Sequence, residues 1–359
     1  MHRGGFFQAI RATSPESLLY SRMNHQSLKD SKLQIIVVKL YAHPWLNFSL
    51  RASLLRQVLD LKRFLSENPE FVQSRSAQEA RTALAEGKRV VVLAIETAAG
   101  ALDSEEDLSY WIDDLGVRIV TLLHLTDDEL GGAALILGKG AFGVLSQPWA
   151  WVRSLFQGIR DTESRAWLNP RGLEKRGEAL LHQLLNRGVW IDLSHSSDAA
   201  QEAMFPVLKT YDQPLLYSHS NLREYSGDER AVSKNQLSRI ADTGGLLGLM
   251  PARDYLGDVP RDSSKSCEDE IDLWAKHWTL ALQTLKPEQV FLGSDLNAPL
   301  RLLLAKCRAS EKFPRGGGVT DIRDFEQLGI EIQKLATKWA PEKNIEHFLR
   351  AWNRVKKRP

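Results

Sequence analysis

Seven short apolar runs, rich in leucine and β-branched residues, punctuate the chain: LQIIVVKL (33–40), RVVVLAIE (89–96), VRIVTLLH (117–124), VWIDLSH (189–195), PLLYSH (214–219), GGLLGLM (244–250) and QVFLGSD (289–295). Their apolar character is continuous rather than alternating, which predicts strands covered on both faces, as in a parallel sheet. Helical periods lie between most of them. Leu173, Gly177, Leu180, Leu181 and Leu184 form a stripe opened by Pro170 and closed by Gly188. Leu54, Leu55, Val58, Leu59 and Leu65 do the same before Pro69, and Ile345, Phe348, Leu349 and Trp352 repeat it near the end. Strand alternating with helix at this spacing predicts βα units with right-handed crossovers, hence an α/β barrel or a doubly wound sheet.

The position of the polar residues separates those two folds. A doubly wound dinucleotide fold carries GxGxxG after its first strand, and none is present. The run Gly316, Gly317, Gly318 follows Pro314 and Arg315 rather than a strand, and reads as a flexible loop. In a barrel, residues at the C-terminal ends of several strands converge on one mouth. Five of the seven runs end in a residue able to bind metal or exchange protons: Glu96, His124, His195, His219 and Asp295. Any one of these alone reads equally well as a helix cap or a satisfied loop group. The set of five predicts a TIM-like (β/α)8 barrel with its chemistry at the mouth. His182, His277 and His347 fall on presumed helices and read as packing or surface residues.

Composition narrows the rest. The chain has 359 residues, with 47 Lys+Arg against 45 Asp+Glu and 43% hydrophobic residues. That suits one large barrel over residues 1–359, and a net charge of +2 leaves no nucleic-acid footprint. No apolar run approaches a membrane span, and the end VKKRP offers no lipid-anchor tail. Residues 1–30 are atypical, with Arg3, Arg11 and the pair Phe6 and Phe7 but no secretory apolar core. The two cysteines, Cys267 and Cys307, stand forty residues apart in unlike contexts, which gives neither a disulfide framework nor a CxxC site. A cytoplasmic protein in a reducing compartment is the expectation.

Two neutral imidazoles and two carboxylates at one mouth suit zinc or a similar divalent ion, and a carboxylate can bridge two ions where an imidazole cannot. Two ions about 3.5–4 Å apart activate water and polarise the group it attacks, which is hydrolytic chemistry. A serine nucleophile has no support, because GxSxG is absent.

Five ordered stretches, VVLAIE (91–96), LGVRIVTLLHLTDDELGGAA (115–134), WIDLSHSS (190–197), LLYSHSNLRE (215–224) and VFLGSDLN (290–297), resemble the membrane (renal) dipeptidase family of zinc metallopeptidases. The resemblance covers roughly residues 30–355, including LNPRGLEKRGEALLHQLLNRG and NIEHFLRAW. It implies a (β/α)8 barrel holding two zinc ions and hydrolysing dipeptides. Residue by residue, it implies that Glu96 bridges the metals and that His195 and His219 ligate the second. Asp295 binds the first metal and handles the proton of the attacking water. His124 contacts the substrate and steadies the tetrahedral intermediate, and Arg230 grips the substrate carboxylate. On its residues alone, Arg230 reads as one more solvated charge beside Arg223, Glu224, Asp228 and Glu229. The loop insertion over residues 133–168, with Trp149, Trp151 and Trp167, falls on the catalytic face. It is expected to form a lid, pack a homodimer or simply pack its own helix.

The sequence departs from the family at one important place. The family's first strand ends in His-x-Asp, supplying two ligands to the first metal, and no His-x-Asp occurs here: His2, His25 and His43 are followed two residues later by Gly4, Ser27 and Trp45. Asn297 and Ala231 are smaller departures. Either the start lies upstream of Met1, or the first strand and half the metal site are lost. The first reading is preferred, because a missing strand exposes two sheet edges. Under the second, the first metal keeps only Glu96 and Asp295. The competing functions are a barrel that keeps its metals but hydrolyses another amide or ester, and a non-catalytic paralogue with an incomplete metal site. Extending the reading frame upstream is expected to reveal an apolar run ending in Asp-x-His-x-Asp; an upstream stop codon with no such motif would contradict this.

Overall fold

All seven apolar runs contribute strands to one parallel sheet in the computed structural model, whose described residues are 25–42, 49–136, 147–261, 269–296, 300–305, 307, 313 and 318–357. The strands are β1 (Ile35–Tyr41), β2 (Phe71–Gln73), β3 (Arg89–Glu96), β4 (Ile119–Thr121), β5 (Trp190–Asp192), β6 (Leu216–Ser220), β7 (Leu246–Leu249) and β8 (Val290–Leu292). The pattern missed β2, since three residues are too few for a period to register. It pairs with the start of β3 through Phe71 and Arg89. Several ladders are shorter than their apolar runs. β4 stops at Thr121, for example, while Leu122 and Leu123 beyond it remain fully buried.

The strands sort their side chains between two faces. Val91, Leu93 and Ile95 of β3 join the helix-facing core, whereas Val90, Val92 and Ala94 face the concave side with Ile119, Trp190, Leu216 and Leu246. This explains why the runs read as continuously apolar. The longer helices are α1 (Leu50–Glu67), α2 (Ala77–Ala85), α3 (Pro148–Gln157), α4 (Lys175–Asn186), α5 (Asp198–Thr210), α6 (Lys234–Thr243), α7 (Glu270–Ala281), α8 (Phe325–Leu335) and α9 (Asn344–Trp352), of which α9 packs into the concave cluster and α3 into a small cluster of its own with Leu135. α4 buries Gly177, Leu180, Leu181 and Leu184 as the stripe predicts. It starts at Lys175, later than Pro170, and ends before Gly188, whose φ of 71° suits glycine. In α1 the buried line is Leu54, Val58, Leu61 and Phe64, while Leu59 is 63% exposed. Adjacent leucines had drawn the expected stripe one position off.

The sheet curls into a half-barrel. Its order is β1-β3-β4-β5-β6-β7-β8, and among the described residues no ladder joins β8 back to β1. Closure into the expected eight-stranded barrel is therefore not what these ladders draw. A cavity of about 700 Å³ runs between the two edges, lined by Ile35 and Val37 of β1, Phe291 of β8, and Ile322, Phe325 and Ile330 at and around α8. The covering segment shields both edge strands from other chains.

Two further expectations meet the structure here. No helix among the described residues is long and apolar enough to cross a membrane. Cys307 is disulfide-bonded, against the reading that the cysteines stand apart. The chain's other cysteine, Cys267, lies outside the described residues, as do residues 1–24, His43, Gly316, Gly317 and Asn297. A stable disulfide belongs to an oxidising environment, which removes the reason given for a reducing compartment. Sequence spacing could not reveal it, because pairing is set by the distance between Cα atoms in the fold.

The helix histidines are structural, as expected. His277 on α7 is fully buried; its Nδ1 accepts from Leu222 N at 3.2 Å and its Nε2 donates to Leu256 O at 3.0 Å. A second ring proton would face the Leu222 N–H, and burial pushes the His277 pKa down to about 4 from 6.5. The unfolded chain therefore binds more protons between those values, so stability falls as pH drops through this window. The urea midpoint should decline from about pH 6.5 toward pH 4, and His277→Gln should flatten part of that decline. Parallel pH profiles for the two proteins would contradict it.

Candidate metal centre

Parallel register carries the polar strand ends to one level. Tyr41 pairs with Glu96, Glu96 with Thr121, Thr121 with Asp192, and Asp192 with Leu216. Glu96 closes β3, His219 lies in β6, and His124, His195 and Asp295 follow β4, β5 and β8 by three residues each. The backbone is strained where it releases these side chains. Thr97 (φ 85°), Leu125 (52°), His195 (70°) and Asp295 (45°) are four of the six non-glycine residues with positive φ among the described residues. Such conformations persist where surrounding structure over-determines them, and here they ring the mouth.

The five sequence-predicted donors do converge. Glu96 Oε1 lies 3.3 Å from His219 Nε2, 3.5 Å from His195 Nε2 and 4.0 Å from His124 Nε2. His195 Nε2 and His219 Nε2 are 2.8 Å apart. Two groups of donors, Glu96 with His124 and His195, and Glu96 with His219 and Asp295, each have their ligand atoms within 4.8 Å of one another. A tetrahedral ion with bonds near 2.05 Å has donor-to-donor edges of about 3.3–3.4 Å. The two edges from Glu96 to His219 and His195 match that spacing, while the His195–His219 edge at 2.8 Å is shorter; the donor types and their convergence fit a divalent ion.

Burial first, and then the Arg230 and Lys39 charges, hold the imidazoles of His195 and His219 well below the usual histidine range. Neutral rings keep a lone pair for ligation. For His219 the tautomer is set from below: Nδ1 lies 2.8 Å from Ser218 Oγ, which in turn donates to Asp192 Oδ2. That leaves Nε2 as the acceptor facing the centre. Asp192 itself is fully buried. Burial opposes its charge, yet Lys39 and the hydroxyl of Ser218 hold its carboxyl well below the usual range.

Sequence reasoning missed the residues beneath and beside the donors. Lys39 Nζ reaches Asp192 Oδ2 at 2.5 Å, Thr121 Oγ1 at 2.9 Å and Glu96 Oε1 at 3.2 Å. Tyr41, two residues on, sets its ring 4.6 Å from that of His124 and buries a hydroxyl with no hydrogen-bond partner among the described residues. Period 2 along β1 would have placed both on the concave face. An isolated lysine and tyrosine at a strand end nevertheless read as ordinary edge residues.

Arg230 is only 6% exposed. Its Nη2 lies 3.2 Å from His195 Nε2, and its guanidinium covers the Tyr255 ring at 4.7 Å. The solvated charge run expected around it does not exist: Arg223, Asp228 and Glu229 are buried as well. Arg223 grips Asp198 through two nitrogens at 2.6 and 2.7 Å. Glu229 accepts from three backbone N–H groups, Leu135 and Asn169 on Oε2 and Asp198 on Oε1. Burial, and next the Asp198 charge, push its carboxyl up to about 8 despite those donors. Glu229 thus fastens both described ends of the 133–168 insertion to the segment that carries Arg230. Within the insertion, Trp151 packs with Leu135, Ala150 and Trp167, while Trp149 is 73% exposed; residues 137–146 lie outside the described set.

The family model for membrane dipeptidases, peptidase family M19, matches residues 145–298, the span holding His195, His219, Arg230 and Asp295. Over that span the chain is similar to this family. An uncharacterised dipeptidase of Schizosaccharomyces pombe is 25% identical over 247 residues, covering 67% of this chain and 47% of that protein. The chain spans at most about half the length of the curated relatives it matches. Among solved structures, dipeptidase AC, a family M19 metallopeptidase, superposes with a TM-score of 0.64 at 17% identity, covering 92% of this chain and 90% of that one. A Rhodobacter sphaeroides metallopeptidase, liganded with a phosphinate mimic of the dipeptide L-Ala-D-Ala, gives 0.65 at 16% identity, covering 93% and 90%. At such identities these superpositions speak for the fold.

Glu229→Gln should lower unfolding stability by about 1–3 kcal/mol, because an amide nitrogen must then face one of three backbone N–H donors. Residues 133–136 and 169 should also lose amide-exchange protection. Unchanged stability and protection would mean the insertion is held elsewhere.

Proposed function

We propose that this protein is a member of the membrane dipeptidase family and a metal-dependent dipeptidase, with zinc as its metal. The observation that carries the reading is the convergence of three imidazole Nε2 atoms on one Glu96 oxygen, with the Arg230 guanidinium beside them. The structure of the Rhodobacter sphaeroides metallopeptidase with its phosphinate dipeptide mimic supports a small dipeptide as substrate.

In this reading Glu96, His195, His219 and Asp295 hold the metal, which supplies Lewis acidity and a water of lowered pKa. The chain's own groups do the rest. Arg230 binds the substrate's terminal carboxylate, and a planar fork stacked on Tyr255 is well oriented for that task. Asp295, half-buried at the mouth, takes the proton of the attacking water and passes it to the leaving amine. His124, 4.0 Å from Glu96 and edge-on to Tyr41, donates to the oxygen that becomes negative in the tetrahedral intermediate. The strained backbone at His195 and Asp295 keeps these groups from relaxing away.

His219→Ala should abolish hydrolysis of a dipeptide panel and reduce bound zinc measured by elemental analysis. Arg230→Met should raise KM for free dipeptides at least about tenfold, while leaving their amidated analogues nearly unchanged. A His219→Ala protein with full zinc and rate would overturn the metal assignment, and equal losses on both substrate sets would remove the clamp.

A further inference from the structure

The concave face of β1 puts a fixed cation against the donor that every imidazole of the centre shares. Lys39 is held by three acceptors, Asp192, Thr121 and Glu96, which together use all three ammonium protons. Its strand is in register with β3 over seven residue pairs, from Ile35 with Val90 to Tyr41 with Glu96. The side chain is only 15% exposed. Thr121 Oγ1 accepts from Lys39 and donates to Asp192 Oδ2 at 2.9 Å, so the ammonium is one corner of a closed network.

We propose that Lys39 is a built-in cation of this centre, taking up one of the two charges that Glu96 would otherwise share between metals, so that the chain binds one divalent ion. The inference rests on the metal reading above and limits it. The charges in contact with the donors are three carboxylates, Glu96, Asp192 and Asp295, against two cations, Lys39 and Arg230. With neutral histidines the cluster carries −1. One divalent ion brings it to +1, which a single hydroxide or carboxylate neutralises. Two ions would bring it to +3 in a buried setting, where uncompensated charge is expensive. The contact agrees: Lys39 Nζ is 3.2 Å from Glu96 Oε1, the same oxygen the three imidazoles face, so an ammonium already shares that oxygen's negative charge.

Lys39 also acts on the donors through Asp192. That carboxylate is fixed by Lys39 on one side and receives Ser218 Oγ on the other, and Ser218 contacts His219 Nδ1. Lys39 is thus a positioning residue for Glu96 directly and for His219 through two hydrogen bonds. Asp192 keeps donors from Thr121, Ser194 and Ser218 when Lys39 is changed, so Lys39→Gln leaves no bare buried carboxylate.

The test is titration of the chelator-stripped 359-residue chain with zinc chloride, with bound metal counted after desalting and affinity read against a competing chromophoric chelator. The wild-type chain is expected to saturate at one zinc. Lys39→Gln, folded by circular dichroism, is expected to bind at least about tenfold more tightly or to accept a second ion, and Lys39→Arg to behave as wild type. Two zinc ions on the wild-type chain would overturn the proposal while leaving the metal reading intact. So would a Lys39→Gln affinity equal to or weaker than wild type. No zinc on any of the three proteins would overturn the metal reading and this proposal with it.

Discussion

The mouth of the half-barrel depends on one buried carboxylate. Asp192 takes Lys39 from β1, Thr121 from β4, Ser194 just past β5 and Ser218 from β6, so four strands are tied at one depth by a single side chain, and β3, between β1 and β4, joins through Glu96 and Lys39. A charge at zero exposure is tolerable only because every lone pair is used and an ammonium lies alongside. Remove that tie and the donors above it lose their common level. Glu96 and His219 are each one hydrogen bond or one residue from the network, which converts sheet register into donor geometry.

Much of this was legible in the chain. Continuous apolar runs announced a parallel sheet because both faces of β3 are buried, and the polar residues ending those runs announced the mouth. Glu96, His124, His195, His219 and Asp295 converge because strands of one direction deliver their ends to one side. The open edges between β1 and β8 were not foreshadowed, because the expectation was a closed barrel short of its first strand and the sheet has eight strands without a β8–β1 ladder among the described residues.

What was not legible depends on partners far apart in sequence. Lys39 looks like a stray edge lysine until Asp192, more than 150 positions later, is placed beside it. Arg223, Asp228 and Glu229 read as a solvated charge run because local composition cannot show that Asp198 and the backbone of the insertion will enclose them. β2 was too short to carry a period, and Leu59 fell outside the core because the buried line of α1 runs through its neighbour Val58 to Leu61. The Cys307 disulfide escaped for the same reason as Lys39: its geometry exists only in three dimensions.

The spread of the donors along the chain has a consequence for assembly. Lys39 and Glu96 lie in the first third, His195 and His219 in the middle, and Asp295 past β8, so no subset made early has a full complement of ligands. Contacts of this sequence separation form late, after the intervening loops have been closed at an entropic penalty. An ion bound by these residues would therefore meet an almost finished sheet rather than nucleate one. In the finished sheet Lys39, a cation the chain supplies itself, contacts both Glu96 and Asp192.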